Sequence, residues 1–154
     1  MPDNYAVFGN PIEHSKSPEI HAVFAAQTGE DVSYQKQLVE LDGFTEAADT
    51  FFAAGGKGLN ITVPFKQDAY GYAARLSSRA RHAGAVNTLT RQEDGTVLGD
   101  TTDGVGLIRD MCENLGWEIK AKKVLVLGAG GAVRGILEPL LALLPQHVVI
   151  ANRS

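Results

Sequence analysis

The chain has one cysteine, Cys112, so no disulfide can close within it and no multi-cysteine metal site can form. It also lacks a long apolar run. The best stretch, Ile136 to Leu144, is broken by Glu138 and Pro139 and is too short to span a bilayer. The opening "MPDNYAVFGNP" has no basic segment followed by an apolar one, so no secretory signal is read there. Positive charge is not in excess either: 14 Lys and Arg face 18 Asp and Glu, for a net charge of -4. That balance argues against nucleic acid as the main partner, because phosphate binding needs a basic field. His14 and His21 lie close in sequence without metal-ligand spacing, and no metal site is expected. These absences leave a globular protein expected in the cytoplasm, with a small molecule as partner and neither nucleic acid nor membrane. A local anion site remains open to it, since a few backbone amides and one arginine can make one.

What is present is ordinary in bulk, 44% apolar and 21% charged, and informative in order. "YAVFGNP" reads as a short buried strand ending at Gly9. "SPEIHAVFAAQTG" reads as a helix with Ser17 as N-cap, Pro18 at the first position and Gly29 as the stop. "SYQKQLVEL" alternates apolar and polar residues, as a strand does. Asp42 is the expected cap of a second helix through Ala54, with Phe44, Ala48, Phe51 and Phe52 on one side. "SSRARHAGA" reads as a short helix, and "VNTLTRQEDGTVLGD" as a hairpin around Asp94-Gly95. A helix is expected from Asp103 to Leu115, closed by Gly116. Tyr70, Tyr72 and Trp117 are expected to pack rather than to bind.

"GLNITVPFK", Gly58 to Lys66, carries polar residues on what should be a core strand. Alternation puts Leu59, Ile61 and Val63 on one face and Asn60 and Thr62 on the other. The polar pair would line a cleft at the strand's C-terminal end, and Pro64 would turn the chain so that Lys66 swings over it. The same residues also fit a threonine and an asparagine satisfied by nearby backbone, beside a solvated lysine. Ser15 and Ser17 before a helix start, Asn87 at a hairpin strand, and Asp103 at a strand-to-helix junction add polar groups. Their hydroxyls, amide and carboxylate suit a polyhydroxylated or carboxylated ligand. Asp103 also fits a plain N-cap.

The pattern changes at Lys122. "KKVLVLGAGG" is a buried strand ending in glycines, a helix follows from about Gly131 to Leu144, and "HVVIANRS" is a second strand. Strand, glycine turn, helix and strand make a βαβ unit. Gly128, Ala129, Gly130, Gly131 and Ala132 form the turn, where backbone can approach a pyrophosphate at a helix N-terminus. The full fingerprint wants glycine or alanine where Val133 stands. Asn152, Arg153 and Ser154 end the second strand, where an NAD enzyme usually has an acid. An arginine attracts a 2′-phosphate, so NADP is expected over NAD.

Together, "GNPIEHSKSPEIHAVF", "GLNITVPFK", "AGAVNTL", "GDTTDGVG", "VLVLGAGGAVRG" and "ANRS", in that order, resemble the shikimate dehydrogenase family. The resemblance implies reversible reduction of 3-dehydroshikimate to shikimate with NADPH, in aromatic amino-acid biosynthesis. It implies Ser15 and Ser17 on the substrate carboxylate, and Asn60, Thr62, Asn87 and Asp103 on its ring hydroxyls. Lys66 would be the catalytic acid/base, paired with Asp103. Arg153 would hold the 2′-phosphate. Serine at 154, where the family more often has threonine, keeps the hydroxyl. Within the family, an enzyme that also oxidises quinate is the alternative, and "NRS" without a preceding acid argues against it.

The expected fold class is α/β. Residues 1–101 form a substrate domain with a mostly parallel sheet flanked by helices. Residues 102–154 form the first βαβ of a Rossmann-type NADP-binding domain, incomplete because the second half is missing. A binding fragment without hydride transfer is therefore a further alternative. Exposed strand edges and an uncovered apolar helix face are expected, and with them a partner such as a second copy of the chain.

Overall fold

The first sheet is registered on one strand, β1 (Asp3–Gly9), in a computed structural model that describes residues 1–153. β2 (Val32–Leu38) runs parallel on one side of β1, and β3 (Gly58–Ile61) runs parallel on the other. β5 (Thr88–Arg91) pairs antiparallel with β3, β6 (Val97–Asp100) antiparallel with β5, and the short β4 (Arg75–Leu76) parallel with β6. The order is β2-β1-β3-β5-β6-β4. The expected hairpin forms, with Gly95 at φ 81 in its turn. Such a value favours a residue without Cβ. β4 has no signal in the sequence beyond two residues, too few for a period to show.

The helices are α1 (Ser17–Thr28), α2 (Phe44–Ala53), α3 (Lys66–Tyr72) and α4 (Ser78–Ala83). One face of the sheet, carrying Ala6, Phe8, Leu59, Ile61 and Leu89, is buried against Phe44, Ala48 and Phe52 of α2, Ala69 of α3, Ala80 of α4, and Phe65. Phe8 meets Phe44 edge-on at 6.3 Å between ring centres, and Phe44 lies on Phe65 at 5.5 Å. Each such side chain contributes about 1.5–3 kcal/mol by burial, which makes this layer the main source of stability. Tyr70 and Tyr72 pack against it, as expected. The other face carries Asn60 level with Val7, Lys36 and Thr88. α1 lies beside β2, and each of its residues stays at least partly exposed.

α5 (Asp103–Arg109) follows β6 and passes into a π-helical turn at Asp110–Asn114, so the single expected helix is two pieces. β7 (Lys123–Leu127) and β8 (His147–Ala151) are parallel, joined by α6 (Gly131–Ala142). Ile119, Val126 and Leu140 form a second small core with Val124, Val133 and Val148. α5 packs on α6, and His82 Nδ1 of α4 stands 2.9 Å from Glu138 Oε2 of α6. Leu125, Leu127 and Val149 leave the outer face of the β7-β8 pair exposed and apolar. No helix among the described residues is long and apolar enough to cross a membrane.

Five local expectations are corrected. Lys16, not Ser17, is the N-cap of α1, because Ser17 is already its first helical residue. Gly43, not Asp42, caps α2, and the Asp103 alternative as N-cap gives way to Thr102. Val63 is 61% exposed, because β3 ends at Ile61 and the alternation stops with it. Trp117 is exposed rather than packed, in the loop after the π-helical turn.

Candidate active site

β3 and β6 point the same way, since each is antiparallel to β5. The segments that follow them therefore start at the same end of the sheet. Lys66 begins α3 and Asp103 begins α5 there. Lys66 Nζ lies 2.5 Å from Asp103 Oδ2, with the two side chains 22% and 31% exposed. Asp103 also sits in the first turn of its helix, where a negative charge is favoured. Asn87 precedes β5 at the same end. Its Nδ2 donates to Asp103 Oδ1 at 2.8 Å and to Thr102 Oγ1 at 2.9 Å, while its Oδ1 accepts from the Thr102 amide at 3.1 Å. The carboxylate is thus held at both oxygens, with the ammonium on one of them.

Ser15 Oγ donates to Ser17 Oγ at 3.1 Å, and the Ser17 amide donates back to Ser15 Oγ at 3.3 Å. The serine pair forms one wall of a cleft of about 360 Å³. Asn60, Thr62, Lys66, Asn87 and Asp103 line the same cleft. All seven residues named from the sequence for this site come together in one space. The Asn10–Pro11 and Val63–Pro64 peptides are cis, and Pro11 and Val63 lie at its rim. A larger cavity of about 520 Å³ lies behind, against α1, and shares only His21 and Asn60 with the first. It lacks the Lys66–Asp103 pair, which lines the smaller cleft.

Three contributors escaped the sequence reading. Tyr34 Oη donates to Asn60 Oδ1 at 2.6 Å. Thr88 Oγ1 accepts from Asn60 Nδ2 at 3.4 Å and donates to Asn87 Oδ1 at 2.8 Å. Asp100 anchors the approach to Asp103: it accepts from Ser77 Oγ at 2.6 Å, from Arg79 Nε at 2.7 Å, from Arg79 Nη2, and from the Thr101 amide at 2.8 Å. The Arg79 bonds, with help from Ser77 and Thr101 against the cost of burial, hold its carboxyl down at about 2. Thr88 faces Asn60 in the β3-β5 ladder, a signal that exists only once register is known.

At the other end, Gly128 takes φ 109 in the turn before α6, where an L side chain would be strained. Gly130 is the N-cap of α6. The first amide of the helical ladder is that of Arg134, bonded to Gly130 O at 3.1 Å, so the amides of Gly131, Ala132 and Val133 precede it. Nothing lies within 4 Å of where a Cβ on Gly130 or Gly131 would sit, and this open space is what a phosphate needs. Ala129 and Ala132 are exposed beside it, and Asn152 and Arg153 follow β8, also exposed. Val133 turns into the small core instead of completing the glycine fingerprint. Ser154 lies outside the described residues.

Comparison with known proteins agrees along the whole chain. Residues 7–89 match the family described as shikimate dehydrogenase substrate binding domain. The chain is 62% identical over 154 residues to shikimate dehydrogenase (NADP(+)) of Cellvibrio japonicus, covering 100% of this chain and 55% of that protein. It thus spans about half the length of the curated relatives it matches. The crystal structure of an Ael1 enzyme from Pseudomonas putida superposes with a TM-score of 0.93 at 47% identity, over 99% of this chain and 56% of that one. That of shikimate dehydrogenase from Aquifex aeolicus gives 0.92 at 31% identity, over 99% and 56%.

Proposed function

This chain belongs to the shikimate dehydrogenase family, and from that premise we propose that it carries the substrate site of an NADP-dependent shikimate dehydrogenase. Residues 1–101 are the substrate-binding domain, and the residues from 102 onward begin a Rossmann-type cofactor domain. The observation that carries this reading is the Lys66–Asp103–Asn87 cluster, joined at 2.5 and 2.8 Å in a polar cleft. The reading brings with it a cytoplasmic location and a place in aromatic amino-acid biosynthesis.

NADPH, when bound, supplies the hydride that reduces the ketone of 3-dehydroshikimate. The residues of this chain do the rest. Ser15 and Ser17 offer hydroxyl donors to the substrate carboxylate. Asn60, Thr62, Asn87 and Asp103 hold its ring hydroxyls and so fix the face presented for reduction. The carbonyl oxygen becomes an alkoxide as the carbon is reduced and needs a proton from within hydrogen-bond reach. Lys66 meets that need: its ammonium stabilises the growing charge and then gives up the proton. Asp103 orients the ammonium and accepts a hydrogen bond from a substrate hydroxyl. In the reverse direction Lys66 accepts the proton from the alcohol.

The open amides before α6 and the exposed guanidinium of Arg153 fit a dinucleotide with a 2′-phosphate. Gly128, Ala129, Gly130, Gly131 and Ala132 would hold the pyrophosphate, and Asn152, Arg153 and Ser154 the adenosine end. The test is absorbance at the NADPH wavelength when the complete protein meets shikimate and NADP. Appearance of NADPH with shikimate, lost in Lys66→Ala, supports the reading. Shikimate binding without NADPH formation would leave only a binding module.

A further inference from the structure

We propose that Tyr34 is a positioning residue whose hydroxyl sets the orientation of the Asn60 amide and, through it, of the contact between Asn87 and Asp103. The proposal rests on the reading of Asn60 as a substrate ligand and goes beyond it. A primary amide has one accepting end and one donating end, and a half-turn exchanges them. The Tyr34 hydroxyl donates to Asn60 Oδ1 at 2.6 Å, which fixes the oxygen toward the tyrosine. The Nδ2 end is then directed to Thr88 Oγ1. Thr88 uses its own proton on Asn87 Oδ1 at 2.8 Å, so toward Asn60 it only accepts. With Oδ1 engaged, Asn87 turns Nδ2 onto Asp103 Oδ1 at 2.8 Å, and Lys66 holds Oδ2 at 2.5 Å.

One directional series of hydrogen bonds therefore runs from Tyr34 through Asn60, Thr88 and Asn87 to Asp103, where Lys66 donates from the other side. Ser15 donates to Ser17 at 3.1 Å in the same cleft that Asn60 lines. Burial lifts the Tyr34 pKa to about 12, against a smaller opposite pull from Ser17, so the phenol stays a donor at neutral pH. His21 stacks on the ring at 4.1 Å and 15°, with Nδ1 2.9 Å from Ser17 O. That stack fixes where the hydroxyl sits. Tyr34 lines the larger cavity behind the cleft, while Asn60 lines both, so Tyr34 acts through Asn60.

The experiment is a double-mutant cycle in the complete protein: Tyr34→Phe, Asn60→Ala and both together, with kcat, KM for shikimate, KM for NADP and Tm measured for each. Phenylalanine keeps the ring and its stack on His21. A lost, partly buried hydrogen bond gives about a tenfold rise in shikimate KM. The expected result is that rise in Tyr34→Phe, a smaller fall in kcat, little change in NADP KM or Tm, and no further rise when Asn60 is already alanine. An unchanged shikimate KM, a fall in Tm alone, or the same rise in the Asn60→Ala background would overturn the proposal. An unchanged KM in Asn60→Ala itself would instead overturn the reading of Asn60, and the proposal with it.

Discussion

Lys66 and Asp103 are 37 positions apart in sequence, yet Nζ and Oδ2 meet at 2.5 Å because each opens a helix at the same end of one sheet. The pair is held by topology and not by a local loop. Replacing Lys66 by alanine leaves the ladder and the core untouched and removes the proposed proton donor. The expected outcome is a fall in kcat of roughly 10²–10⁴, the usual worth of a placed acid/base, with a much smaller change in shikimate KM. Steady-state kinetics of the complete protein check this, and a retained kcat rejects the role.

Asp100 gives a pH prediction. Its carboxyl sits at about 2 in the fold against an ordinary 3.8, chiefly through the hydrogen bonds from Arg79. A depressed pKa means that the folded state binds the proton less readily than the unfolded one. The contribution is therefore complete above about pH 4 and is lost as pH falls toward about 2. Asp100→Asn should lower Tm at neutral pH. The gap from the parent should narrow as pH drops through that window, when read by thermal melts at a series of pH values. A gap that stays constant down to the lower limit would show that the charge is not what stabilises.

The sequence made the site legible where chemistry sits on alternating or junction positions. Asn60 and Thr62 stand opposite an apolar set in a strand, and Asp103 stands at a strand-to-helix step. Physical reading of that stretch left Lys66 open between a solvated cation and an acid, and it was the ordered motifs that separated the two. Tyr34 and Thr88 stayed hidden for a different reason. Their partners are fixed by the β1-β2, β1-β3 and β3-β5 registers, which no period in one strand encodes. Val63 was misjudged by extending alternation past Ile61, where β3 ends. The caps at Ser17 and Asp42 failed by one residue each, since a neighbouring residue took the half-helical position.

Arg153 follows β8 with its side chain exposed, where the proposed 2′-phosphate would meet it. Arginine can give that group two charge-assisted hydrogen bonds, which a neutral side chain cannot. Arg153→Ala should therefore raise KM for NADP by about ten- to a hundredfold, the range for bonds to a charged group, and leave KM for NAD nearly unchanged. Parallel kinetics with the two dinucleotides test it. An equal loss for both would assign Arg153 to something other than the phosphate.

Two glycines where α5 crosses α6 make opposite predictions. A Cβ on Gly104 would lie 2.1 Å from the backbone oxygen of Gly135 and 2.7 Å from Pro139 Cγ, and neither can yield without parting the helices. A Cβ on Gly135 would meet nothing closer than Thr101 Oγ1 at 3.7 Å, an ordinary contact. Gly104→Ala should cost about 1–3 kcal/mol through overpacking. Gly135→Ala, inside a helix, should gain about 0.5–1 kcal/mol from the smaller entropy lost on folding. Because Asp103 adjoins Gly104, the first change should also lower kcat as the carboxylate leaves Lys66, and the second should not. Thermal melts and kinetics of both variants separate the cases. If Gly104→Ala melts with the parent, the two helices are not held at that distance, and the position of Asp103 has another cause.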